Sequence, residues 1–189
     1  LETGETGVQN YGNSVLVKGN RVLVAADRYG DNGEGAVFTY EFDPVSNTMI
    51  SLEAYTLKNA DCDGQFGSSL AFTNDNVLLV GCPFDTNSTG AIYYYQQDEC
   101  SSSGYTLVQK ITPIDGQSLQ VGGNRHHIPV SPNGDFFAAG TYDDISCYDH
   151  IVYVFGKFGS DNWTEVAQLT SPDESSMYFG DQVVMADDF

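Results

Sequence analysis

The sequence predicts an all-β chain assembled from recurring units of four short antiparallel strands, and three observations carry that expectation. A residue pair ending in glycine recurs at Tyr11-Gly12, Phe66-Gly67, Val121-Gly122 and Phe179-Gly180, at intervals of 55, 55 and 58 residues. No window shows sustained apolar recurrence at about 3.6 residues, so helix is expected to be scarce. Aromatic residues reach 13%, with 12 Tyr and 11 Phe set among 20 Gly, a composition that suits short strands and tight turns. Four antiparallel strands per copy describe one blade of a β-propeller, and a blade cannot bury its faces alone. The expected fold is therefore a partial propeller: blade A at 11–65, blade B at 66–120, blade C at 121–178, and the first strand of a further blade at 179–189.

Each element follows from local pattern. The first strands are expected at Ser14–Val17, Ser69–Phe72 and His127–Val130. Turns at Lys18-Gly19-Asn20, Thr73-Asn74-Asp75-Asn76 and Ser131-Pro132-Asn133-Gly134 lead to second strands at Val22–Ala25, Val77–Val80 and Phe136–Ala139. After a polar loop come third strands at Ala36–Tyr40, Ala91–Tyr95 and Ile151–Phe155. Fourth strands are expected at Leu52–Leu57, Tyr105–Ile111 and Trp163–Leu169; in the last, "WTEVAQLT" alternates apolar and polar residues. Pro129 falls inside the third copy's first strand and removes a ladder donor, so that strand should be bulged or locally unpaired.

Composition excludes several function classes. With 41% hydrophobic and 17% charged residues in 189, the chain can build a core and does not read as disordered. The 26 acidic residues against 7 basic give a formal charge of −19, which repels phosphate backbones and argues against nucleic-acid binding. No apolar stretch is long enough to cross a membrane as a helix. Residues 1–10, including "LETGETG", read as a tail or a processing scar and are set apart. Acceptor sequons stand at Asn87-Ser88-Thr89 and Asn162-Trp163-Thr164, in expected hairpin loops. Four cysteines, Cys62, Cys82, Cys100 and Cys147, lack zinc spacing. Sequons, acidity and aromatic content together favour an extracellular, secreted or cell-surface origin.

The ordered motifs resemble the FG-GAP repeats of integrin α-subunit-like β-propellers over roughly residues 11–189. Phe66-Gly67 and Phe179-Gly180 carry the Phe-Gly; Gly81-Cys82-Pro83 stands where the family has Gly-Ala-Pro; Gly90-Ala91-Ile92-Tyr93 supplies the strand after it. The stretch "WTEVAQLTSPDESSMYFGDQVV" at 163–184 is especially close. Glycine beside the aromatic lets two backbones approach at a blade corner while the ring fills space between blades. Antiparallel pairing should bring "FG" and "GCP" together. The first copy departs with Tyr11 and Ala25-Ala26-Asp27, the third with Val121-Gly122 and Gly140-Thr141. The resemblance implies a longer chain, of which this is a fragment.

That resemblance also raises calcium, held in related repeats by an acidic cage between the first two strands. Here those turns are too short to wrap six to eight oxygens. No cofactor is therefore expected. Acids in the next loop (Asp27, Asp31 and Glu34; Asp85; Asp143, Asp144 and Asp149) read as solvated side chains, with a weakly held cation as the alternative. His126 and His127, adjacent on a strand, point to opposite faces and cannot easily share a metal. No nucleophile elbow, HExxH or phosphate loop is present, so the segment is not expected to be an enzyme. Four cysteines allow three pairings; blade geometry places Cys62 and Cys82 at one corner, the preferred bridge, and sends Cys100 and Cys147 to opposite rims. The function this reading favours is an extracellular propeller module presenting loops to a protein or glycan ligand, through residues 26–35, 82–90 and 140–150. Tyr29, Phe84 and Tyr142 are its candidate anchors. A structural subunit of a cell-surface fibre, coat or matrix, associating with its own copies, and an accessory propeller of a secreted hydrolase, are the alternatives.

Overall fold

The computed structural model describes residues 10–52, 55–73, 77–85, 90–98, 100–101, 104–115, 127–140, 151–159, 162–172, 179–180 and 182–186. Within them lie three antiparallel sheets and no α-helix. The first sheet holds β1 (Tyr11–Lys18), β2 (Arg21–Ala26), β3 (Ala36–Asp43) and β4 (Thr48–Ser51), in that order. The second holds β5 (Leu70–Phe72), β6 (Val77–Cys82), β7 (Ala91–Gln97) and β8 (Tyr105–Ile111). The third pairs β9 (Phe136–Gly140), β10 (Ile151–Lys157) and β11 (Trp163–Thr170).

The sheets stack, and period-two alternation fills both gaps. Between the first and second sheets, Leu23, Ala25 and Val37 meet Leu78, Val80, Tyr93 and Tyr95. Between the second and third, Leu79, Ile92 and Tyr94 meet Phe137, Tyr153 and Phe155. Successive residues of β6 and β7 thus serve opposite cores, so these strands are apolar throughout rather than on one face. Fully burying one such side chain contributes about 1.5–3 kcal/mol.

Phe66 and Gly67 show why their residue types are needed. Phe66 is fully buried, edge-on to Tyr93 and Tyr95. Gly67 has φ +91°, and a Cβ there would lie 3.0 Å from Ala25 Cβ and 3.2 Å from a Val37 methyl carbon of the first sheet. Both the backbone angle and the close approach exclude a side chain. The Gly67 amide donates to the Gly81 carbonyl at 3.0 Å, and the Gly81 amide to the Ser69 carbonyl at 2.9 Å. "FG" and "GCP" are therefore hydrogen-bonded neighbours.

Three elements differ from expectation. In the first sheet, the fourth strand is Thr48–Ser51 rather than Leu52–Leu57. Asp43 explains the early return: it accepts the Val45 amide at 2.9 Å and the Ser46 hydroxyl at 2.6 Å, and Asn47 adopts φ 54°. This tight turn pairs Asp43 with Thr48 at once. Leu57 returns separately, exchanging 2.9 and 2.8 Å backbone bonds with Val37. In the third sheet, the expected strand His127–Val130 is reduced to a single bridge between Val130 and Phe137. Pro129, lacking an amide proton, contributes only its carbonyl, which accepts the Ala138 amide at 3.0 Å. That sheet has three strands, not four. Finally, the described residues 182–186 form no strand, so the expected opening strand of a further unit is not formed there.

Candidate functional site: a cleft between the first two sheets

Two antiparallel sheets packed side by side leave a notch where their loops diverge. The β2–β3 loop and the segment entering β5 form such a notch, a cavity of about 280 Å³ lined by Arg28, Asn32, Asp63, Gln65 and Phe84, with Gly33 and Gly64 at its floor. Arg28, Asn32 and Asp63 are exposed, and Phe84 is 37% exposed. A large aromatic at the surface beside donors and acceptors of both signs is the mixture that contact sites favour.

The floor is fixed in three ways. Cys62 and Cys82 form a buried disulfide, tying the cleft's lower lip to the end of β6. Gln65 holds a left-handed backbone at φ 61°, a conformation rare without glycine, and its amide donates to the Gly33 carbonyl at 3.0 Å. The Phe66 amide donates to the Glu34 carbonyl at 2.9 Å. Above it, the Asn32 amide donates to Glu34 Oε1 at 2.9 Å, and that bond holds the Glu34 carboxyl below its ordinary value. The cleft is thus largely preformed, which limits the ordering cost of binding.

Asp27 lies behind this loop and is unusual. It is 0% exposed, and neither carboxylate oxygen has a hydrogen-bond partner among the described residues. Burial pushes its carboxyl above the ordinary range; the Asn10 side chain, outside bonding geometry, and the Arg28 guanidinium offset this only in part. Its backbone amide donates to Asn13 Oδ1 at 3.3 Å. Asp85 is also 0% exposed but fully engaged, bonded to Lys110 Nζ at 2.7 Å and to the Tyr93 hydroxyl at 2.5 Å. Asp85 therefore serves an ion pair whose carboxylate is buried and whose ammonium reaches the surface. Asp31 is exposed, and no group of three or more metal-ligating residues comes together among the described residues.

The remaining candidates separate cleanly. Tyr29 does not line the cleft: it packs edge-on to Phe38, under Lys58 Nζ at 4.4 Å, and caps the first sheet. Of the two sequence-derived anchors among the described residues, Phe84 reaches the cleft. Tyr142, Asp143, Asp144, Asp149, His126, His150, Cys147 and Asn87 fall outside the described residues. Asn162 and Cys100 are exposed, and Cys100 is a free thiol. Arg28, Asn32, Asp63 and Gln65 were not singled out from sequence. The first two sit in the loop that was; nothing local marks Gln65 for a left-handed backbone.

No protein-family model matches this chain, and no curated protein does. Among solved structures, the chain is similar to a hypothetical selenium-binding protein from Sulfolobus tokodaii, with TM-score 0.55 and 8% identity, over 79% of this chain. That likeness concerns the fold alone. The chain spans 38% of the length of the Sulfolobus structure.

Proposed function

We propose that the three sheets are blades of an FG-GAP-type β-propeller and that the chain is a non-catalytic extracellular recognition module, binding a protein or glycan at the cleft beside Phe84. The blade assignment draws on a repeated corner: Gly12, Gly67 and Gly180 share φ values of 89°, 91° and 87°. Gly67 abuts Ala25 and Val37, and Gly180 abuts Val152 in the same manner. Extracellular placement draws on the buried Cys62–Cys82 disulfide, a bond that persists in oxidising compartments, and on the exposed sequon residue Asn162. Among the described residues no helix is long and apolar enough to cross a membrane.

The observation that carries the binding reading is the exposed Phe84 seated over a disulfide-tied floor, with Arg28, Asn32 and Asp63 around it. An aromatic face stacks on a sugar ring or an apolar side chain, while the surrounding polar groups set orientation. The test is a screen of immobilised glycans and secreted proteins with wild type and Phe84→Ala. A ligand of this site should lose at least tenfold in affinity, with the unfolding midpoint unchanged. Ligands that bind both forms equally would remove the cleft from the account.

The structural-subunit reading has one observation of its own. Val15 and Val17, 55% and 63% exposed, share the outer face of the first sheet with the partly exposed Val22 and Phe38. Apolar faces of this kind favour association. Concentration-dependent sedimentation that Val17→Lys abolishes would support it.

A further inference from the structure

The rim opposite the Phe84 cleft carries a second cavity, of about 260 Å³, between the β1–β2 turn and the second sheet. Lys18, Arg21, Glu41, Phe72 and Tyr105 line it, with Asn20 and Gln97 at its edge. Its charge is unusual for this chain. Two of only 7 basic residues, against 26 acidic, converge there.

The register explains how. Leu16 pairs with Leu23 and packs into the core facing the second sheet, so Lys18 and Arg21, paired two residues further along, point the same way. Arg21 in turn pairs with Glu41 on β3. Like charges directly opposite on a sheet are destabilising, and the other two sheets avoid them: the matching turn-closing pairs are Thr73 with Val77 and Ser131 with Phe136. The cationic pair is a departure made by the first sheet alone.

The two cations are also held in place. Lys18 Nζ donates to the Thr73 carbonyl at 3.1 Å and lies 5.1 Å from the Phe72 ring centroid. The Arg21 guanidinium lies beside the Tyr105 hydroxyl, and Tyr105 is almost fully buried. Glu41 supplies one opposing charge, and its Oε1 accepts the Asn20 amide at 2.7 Å. Among the described lining residues, Lys18 and Arg21 against Glu41 sum to a formal charge of about +1, while the chain's is −19. At physiological salt the screening length is about 8 Å, so the local pair outweighs distant acids at this spot.

We infer that this cavity is a second binding site, which takes an oxyanion borne on a single sugar-sized ring. Lys18 and Arg21 hold the oxyanion's oxygens; Phe72, partly exposed, offers apolar surface to the ring; Asn20 and Gln97 supply hydrogen bonds at the edge. The volume sits just below the usual range for small-molecule sites, which begins at about 300 Å³. That leaves room for one ring.

Calorimetric titration of the intact chain with glucuronate, glucose 6-sulfate and glucose tests this. Glucuronate or glucose 6-sulfate should bind at least tenfold more tightly than glucose, and the tighter of the two identifies carboxylate or sulfate as the group recognised. Lys18→Gln and Arg21→Gln should each lower that affinity at least tenfold. Glu41→Gln should raise it, a gain that misfolding cannot mimic. Lys58→Gln, which removes one positive charge elsewhere, should leave it unchanged. Equal binding of glucose and the charged sugars, no binding of either charged sugar at millimolar concentration, or an affinity indifferent to Arg21 and Glu41 would overturn the inference.

Discussion

The second sheet and the first sheet are built from the same pattern yet live in different surroundings. Both alternate apolar residues along their two central strands. In the second, Leu78 and Leu79 are each fully buried although they point to opposite faces. In the first, Leu23 faces the stack and is fully buried, while on the outer face Val22 and Phe38 of the central strands are only partly buried and Val17 of the edge strand is 63% exposed. The comparison teaches that an apolar face here is a property of the repeating unit, whereas its energetic worth depends on whether a neighbouring sheet covers it.

Substitutions can break that comparison. The largest effect is expected at Tyr94 and Leu79, which fill the gap between the second and third sheets. Tyr94→Ala should cost about 3–5 kcal/mol by analogy with other large aromatics, and Leu79→Ala about 2–5 kcal/mol, because both leave cavities. Urea unfolding measures this, and Val17→Ala, the matched control on the outer face, should change stability by no more than about 0.5 kcal/mol. Similar losses at Val17 and Leu79 would mean the outer face is covered.

Next in size is the Cys62–Cys82 bond, which joins the link between the first two sheets to the end of β6. It closes a loop with sequence separation 20, for which chain-entropy reasoning gives about 3 kcal/mol. Cys62→Ala with Cys82→Ala, compared with wild type in guanidinium, should lose about that much. Such a loss should appear together with weakened binding at the Phe84 cleft, since the same bond ties the cleft's floor.

A smaller effect of opposite sign is expected at Asp27. Burial raises its folded pKa above the ordinary value of 3.8. The folded state therefore holds this proton more tightly than the unfolded chain, and the stability it contributes is full below pH 3.8 and declines as pH rises through the higher folded value. Above that folded value the ionised carboxylate, which has no hydrogen-bond partner among the described residues, is a liability. Asp27→Asn should raise the thermal midpoint at pH 7, with the gain shrinking as pH approaches 3. A lower midpoint for Asp27→Asn at pH 7 would show that the carboxylate has a compensating partner.

These contrasts also explain what the sequence made legible. The central strands were plain because burial on two faces leaves an unbroken apolar signature: Val77–Val80 was expected and Val77–Cys82 forms, Ala91–Tyr95 was expected and Ala91–Gln97 forms. Edge strands carry less pattern and yielded to local chemistry, as the Asp43 turn and Pro129 show. The cleft was half legible. Phe84 and its loop stood out by residue type, whereas Gln65 and Asp63 reach the cleft only through packing of the link against the first sheet. The Lys18–Arg21 pair was visible as letters around a turn, but its convergence required the register.

Native-state hydrogen exchange of β2, β3, β6 and β7 tests the stacked-sheet account most directly. Amides of β6 and β7, sealed between two sheets, should exchange only through global unfolding, at least tenfold more slowly than those of β2 and β3, whose outer face is only partly covered. Equal protection of the two sets, or faster exchange in the second sheet, would contradict the covering of the second sheet on both sides by its neighbours.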